Sequence, residues 1–198
     1  MDRVNHGLRR IPPGAIYLLG AIPAAVLIWQ ALTGGLGVDP VKVLEHRLGE
    51  WALQFLVAGL AITPLRRLTG LNLIRFRRAI GLLAFAYASL HLAVWLALDL
   101  QFRWAEIAAD LLKRPYIILG MLAFVLLLPL AATSNNTSVR KLGADWRRLH
   151  LLTYPAVLLA ALHFVWLTKA WALEPLIYLV ATIGLLMLRG GWQLRRMA

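Results

Sequence analysis

His91 and His163 each lie inside a stretch of residues apolar enough to span a bilayer. An ionisable side chain in that setting costs free energy and is kept for a function. Two imidazoles facing each other across a helical bundle can supply both axial ligands of a haem iron. The bland alternative is two core histidines satisfied separately. Spacing favours the pair. His91 lies 13 residues past Arg78, and His163 lies 15 past Arg148. At about 1.5 Å per residue each ring sits ~20 Å from the same arginine-rich boundary, so the two share a depth.

His150 lies near that boundary, at the start of the stretch that carries His163. A rise of ~20 Å between them would suit two haems stacked across a membrane. The angle on a straight helix suits less well, and Pro155 could kink the helix between them. The matching position on the other helix is Arg77, a poor iron ligand because guanidinium stays protonated. It is a good clamp for a propionate or phosphate. The expectation is therefore one haem b between His91 and His163. A second haem at His150 would lack an identified sixth ligand, and His150 could instead line a quinone or flavin site. Arg75, Arg77, Arg78, Arg147 and Arg148 are the candidate contacts for an anionic cofactor, although most such arginines meet lipid headgroups. Trp146 has an interfacial anchor as its default role.

These residues need elements that hold them. Of 198 residues, 61% are hydrophobic, against about half in a soluble domain. The excess falls in six blocks, 14–33, 49–65, 79–98, 115–132, 149–168 and 173–188. Helices satisfy their own backbone groups in lipid, so the fold class is all-α, a six-helix transmembrane bundle forming one domain over 1–198. Pro23, Pro64, Pro129 and Pro155 lie within or near span ends. The first block is longer than a signal peptide's apolar core and reads as a retained helix.

The basic residues fall in the gaps, 15 on one side and six on the other. This is a topology signal and not a nucleic-acid patch, and it puts both termini in the cytoplasm. The acids Asp39, Glu45, Glu50, Asp99, Glu106, Asp110 and Glu174 gather at the outer face, as a solvated rim or a docking surface. The absence of cysteine excludes thiolate-ligated haem, cysteine-held iron–sulfur clusters and covalent haem attachment. Segment 99–114 spaces Trp104, Ile107, Ala108, Leu111 and Leu112 as a short amphipathic helix along the membrane surface or against a partner. His6 in the basic N-terminal tail and His46 in the first outer loop read as solvated. Thr133–Ser138 reads as a polar loop, and no internal repeat is evident.

Two segments carry a resemblance. Arg75–His91 (RFRRAIGLLAFAYASLH) and Thr133–Tyr154 (TSNNTSVRKLGADWRRLHLLTY) resemble the third span, and the approach to the fifth, of the MsrQ (YedZ) family. These are haem-binding membrane subunits of the bacterial periplasmic methionine sulfoxide reductase system, within the ferric-reductase-like transmembrane superfamily. Length and six-span layout fit the whole chain. The resemblance implies that His91, His150 and His163 are haem-linked, with Arg77 where superfamily oxidases have a fourth histidine. It also implies FMN, a bacterial inner-membrane location, and a periplasmic molybdopterin-containing reductase subunit as electron acceptor. Reducing equivalents would come from quinol or a flavin reductase. Ten residues follow the sixth span without a Gly-rich dinucleotide fingerprint, so the donor is expected to act in trans. The alternatives are a stand-alone ferric reductase, a cytochrome b subunit of another complex, or a cofactor-free transporter or assembly factor.

Overall fold

The computed structural model describes residues 2–168 and 172–194. Lys169, Arg195 and Arg196, which enter the charge count above, lie outside the described residues. The described chain is all-α, and six helical stretches are long and apolar enough to cross a membrane. A short helix α1 (Asp2–Arg10) precedes α2 (Pro13–Leu32) and α3 (Pro40–Thr69). A 3₁₀ turn at Ile74–Phe76 leads into α4 (Arg77–Val94), which widens into a π-helical turn at Trp95–Asp99. Then follow α5 (Trp104–Lys113), α6 (Pro115–Ala132), α7 (Asn136–Leu142) and α8 (Ala144–Leu149). A second 3₁₀ turn at His150–Leu152 leads into α9 (Thr153–Leu167), and α10 (Leu173–Leu194) is last.

The first, third and fourth apolar blocks match these helices closely, whereas the second and sixth, short as blocks, extend as expected into flanking residues. Helix α3 begins at Pro40, nine residues before the apolar block. Proline stands at its first turn, and the Asp39 side chain caps the helix by accepting from the Lys42 backbone N–H at 3.2 Å. Both are helix-start signals. Hydropathy misses this turn because Lys42, Glu45, His46 and Arg47 are polar. His46 therefore lies on a helix and not in an outer loop. The N-terminal segment is also ordered, as α1. The polar stretch after α6 is short, because the Asn135 side chain accepts from Ser138 N–H at 2.8 Å and starts α7. The fifth span is broken at its entry by the turn at His150–Leu152, just before Pro155.

Two antiparallel pairs organise the bundle, with α3 packed along α4 and α6 along α9. They meet through Leu56, Leu60, Ala84, Leu127, Leu130, Ala156 and Val157. Ala84, Ala156 and Val157 are fully buried. Small residues at such contacts let helices approach closely, and in lipid that packing drives association. Helix α2 flanks α4. There the Tyr87 hydroxyl donates to Gly20 O at 2.6 Å and accepts from Ala24 N–H at 3.0 Å. The turn it bridges holds Pro23, which has no N–H of its own. Gly20 lets Leu83 pack against the helix here, since a Cβ would meet Leu83 Cδ1 at 2.3 Å and push that side chain aside.

Helix α5 closes the end opposite the arginines. Ile107 is buried against Trp95, Leu100 and Ile117, with Leu111 beside them. Trp104 and Leu112 point outward. The amphipathic stripe is thus split between the bundle and its surroundings.

Candidate functional site

His91 comes from α4 and His163 from α9, one from each antiparallel pair. Their ring centroids are 6.3 Å apart, and the planes cross at 72°. Each ring is fixed by its neighbour on the pair. His91 Nδ1 bonds Glu45 O on α3 at 2.8 Å, and His163 Nδ1 bonds Tyr116 O on α6 at 2.6 Å. A carbonyl can only accept, so Nδ1 must carry the proton in both rings. The unprotonated nitrogen left over is Nε2. This is the orienting arrangement that metal-ligating histidines use.

The same device occurs twice. The carbonyl lies 46 residues before its histidine in one pair and 47 in the other. Four residues after each carbonyl stands a glycine. A Cβ at Gly49 would come within 3.0 Å of His91 Nδ1, and one at Gly120 within 3.0 Å of His163 Nδ1. Each imidazole therefore lies directly over bare helix backbone, where it can share a carbonyl already used within the helix. Reading the sequence missed this recurrence, because the equivalence lies in four helix positions and not in a repeated string. Glycine within a long helix was the available signal, as it is costly there unless something approaches closely.

The separation suits a bound metal. A metal–imidazole bond is about 2.0–2.1 Å and a ring nitrogen lies about 1.1 Å from its ring centre, so two rings opposed across one ion have centroids about 6.3 Å apart. Among the described residues no group of three or more His, Cys, Asp or Glu could hold a bare ion. A haem brings its own equatorial ligands and asks the protein for axial ones. The pair thus fits a haem better than it fits a free metal.

Room for a macrocycle is present. The histidines line a cavity of about 1460 Å³ between α3, α4, α6 and α9. Its walls include Leu53, Leu56, Phe124 and Leu127, and its mouth includes Lys42, His46, Lys113 and Arg114. Glu45, Glu50 and Asp99 also line it, so charges of both signs surround an apolar slot; the cations among them can meet carboxylates at one edge of a flat ligand. These cations are at the opposite end from the arginines that sequence reasoning favoured.

Those arginines lie elsewhere. Arg75 donates to Leu8 O at 3.1 Å and to Arg9 O, gripping the end of α1. Arg77 donates to the Thr63 hydroxyl, and its Nε is buried without a partner. Arg78 donates to Asn136 Oδ1 at 2.8 Å, and Arg148 pairs with Asp145 at 3.1 Å. Arg147 sits in the same exposed helix α8. None of the five lines the histidine cavity. His150 lies 3.1 Å from Thr133 Oγ1 through Nε2. The Thr133 hydroxyl proton goes to Pro129 O at 2.6 Å, so His150 Nε2–H is the donor. Trp146 stacks on the ring at 3.9 Å and donates to Thr133 O at 2.9 Å. An indole half-buried with its N–H bonded to the backbone is more than an interfacial anchor.

Residues 48–161 match the family described as ferric reductase like transmembrane component. A relative from Brucella anthropi, named protein-methionine-sulfoxide reductase heme-binding subunit MsrQ, is 47% identical over 88% of this chain and 79% of its own. The chain belongs to the MsrQ family. A second MsrQ, from Brucella ovis, is 46% identical over 91% of this chain and 80% of its own. No solved structure matches. The residues that the family match covers include Gly49, His91, Gly120 and Tyr116 but not His163.

Proposed function

We propose that this chain is a b-type cytochrome of the bacterial inner membrane and serves as the haem-binding subunit of a methionine sulfoxide reductase. His91 and His163 hold one haem through Nε2. One observation carries the reading: two rings from different helix pairs, each with Nδ1–H committed to a carbonyl, at the centroid separation that one shared metal requires. The names of the relatives support haem binding and the subunit role.

The bound group would supply one-electron chemistry. The protein's part is to hold the ligands and to exclude water. Glu45 O and Tyr116 O fix both tautomers and make the Nε2 lone pairs more basic. Leu53, Leu56, Phe124 and Leu127 keep the slot dry. Lys42 and Arg114 at its mouth would pair with the group's carboxylates, in exchange for part of their present pairing with Asp39 and Asp110. The excess of arginine at the other end supports cytoplasmic termini, so the cavity opens towards the periplasm. Electrons then leave to a periplasmic molybdopterin-containing reductase subunit, which carries out the sulfoxide chemistry. They arrive from quinol or a flavin reductase, with FMN as a second cofactor. A second haem, or a quinone or flavin contact, at His150 would have to use Nδ1, since Nε2 is committed to Thr133.

The test is the visible spectrum of purified protein. Wild type should show a low-spin Soret band, and His91→Ala and His163→Ala should each remove the same haem. A protein without bound iron, or variants that lose two different haems, would refute the assignment. A second reading, a ferric reductase or a cytochrome b subunit of another complex, draws on the ferric-reductase-like family match. Co-purification of a molybdenum-containing partner separates the two.

A further inference from the structure

A second cavity, of about 580 Å³, lies at the arginine-rich end. Its walls are Asn5 and Arg9 of α1, Arg66 near the end of α3, and Asn72, Ile74 and Arg75 of the following connection. The volume falls within the range of small-ligand sites. Three of the six lining residues are arginine and none is acidic.

The pocket is built by specific bonds, not by loose packing of a tail. Asn5 donates to Gly70 O at 3.0 Å and accepts from Asn72 N–H at 2.9 Å. Both ends of one amide side chain thus tie α1 to the connection. Gly70 makes the turn possible with φ of +77°, a conformation that favours glycine. Arg75 uses its guanidinium on the carbonyls of Leu8 and Arg9, which end α1. Arg9 and Arg66 have side chains that make no hydrogen bond or ion pair among the described residues. Two uncommitted guanidinia beside a third, with amide side chains between them, gain from a bound polyanion what they lose to mutual repulsion.

We propose that this pocket binds a phosphoryl group, held by Arg9 and Arg66 with Asn72 and Arg75 at its edge. A guanidinium fork matches phosphate geometry in two parallel hydrogen bonds. The phosphate could belong to an anionic phospholipid headgroup or to a soluble nucleotide, and both would reach a pocket at the membrane face. The inference is independent of the haem reading, because the histidine cavity is at the other end of the bundle, while its soluble arm rests on the FMN proposed above as a second cofactor.

The full chain, wild type and R9Q/R66Q, is tested in two arms. In phosphatidylcholine nanodiscs, each is titrated with FMN and with riboflavin, which differ only by the phosphate, and binding is followed by flavin fluorescence anisotropy. After extraction in mild detergent, retained phosphatidylglycerol is counted by native mass spectrometry. A soluble source predicts FMN binding at least about tenfold tighter than riboflavin, with that preference lost in the variant. A lipid source predicts phosphatidylglycerol adducts on wild type that the variant loses. The proposal is overturned if the variant equals wild type in both arms. Should the double variant not accumulate, R9Q alone makes the same comparison on an exposed side chain of α1. An unaltered Soret band in either variant keeps this result separate from the haem assignment.

Discussion

Gly120→Ala tests the geometry at its tightest point. The new Cβ would lie 3.0 Å from both Nδ1 and Cε1 of His163, and 3.3 Å from Cγ. Comfortable contact begins at about 3.5 Å, so the ring must retreat by roughly 0.5 Å. The Nδ1 to Tyr116 O bond is 2.6 Å. A retreat of that size stretches it to about 3.1 Å, near the limit for N–H···O. Disturbing the group that orients a metal-ligating histidine typically costs about 10–100-fold in affinity. The same substitution favours the helix itself by up to about 1 kcal/mol. The expected signature is a dissociation: haem affinity falls by about tenfold or more while the protein without haem is no less stable. Haem transfer to apomyoglobin, followed at the Soret band, measures the affinity. Gly81→Ala is the control, because its Cβ would meet nothing within 4 Å. If Gly120→Ala held haem as tightly as Gly81→Ala and wild type, the positioning role of the Tyr116 carbonyl would be wrong.

Tyr87→Phe removes the hydroxyl that bridges Gly20 O and Ala24 N–H, leaving buried backbone groups with one partner fewer. A loss of about 1–3 kcal/mol is expected in SDS-induced unfolding; a change under 0.5 kcal/mol would show the bridge to be dispensable. His150→Ala should keep the haem spectrum while loosening the corner at Thr133 by roughly 1 kcal/mol. Disappearance of the Soret band in that variant would return His150 to the ligand set.

The architecture was accessible from composition, since long apolar blocks separated by arginines leave few other solutions. Block 115–132 coincides with α6, and the histidine depth argument used only helical rise. Two kinds of feature escaped. Polar helix ends are invisible to hydropathy, which is why the first turns of α3, with His46 and Lys42, read as a loop although Asp39-Pro40 announces a helix start. Backbone groups are invisible to residue type. The carbonyls of Glu45 and Tyr116 do the orienting, and no side-chain motif can display a carbonyl. Arg75, Arg77 and Arg78 look alike in sequence as positive charges at one boundary. Tertiary structure separates them into a helix clamp, a half-buried contact to Thr63 and a link to Asn136.

The two-pair construction also bears on how a bound group would act on the fold. Helices α4 and α9 each lean on an antiparallel partner, and the pairs meet through a cluster of leucines with Ala84, Ala156 and Val157 between them. Nearer the end opposite the arginines they are separated by the cavity itself, with His91 on one wall and His163 on the other. A ligand bonded to both rings would therefore span the least supported part of the interface. Its binding energy adds to folding stability by mass action, about 4 kcal/mol when free ligand exceeds its dissociation constant a thousandfold. The orienting hydrogen bonds run inside each pair, from α3 to α4 and from α6 to α9, so they can be set before the pairs are joined. The ligand positions would be prepared by local packing, and joining them is the step left to the cofactor.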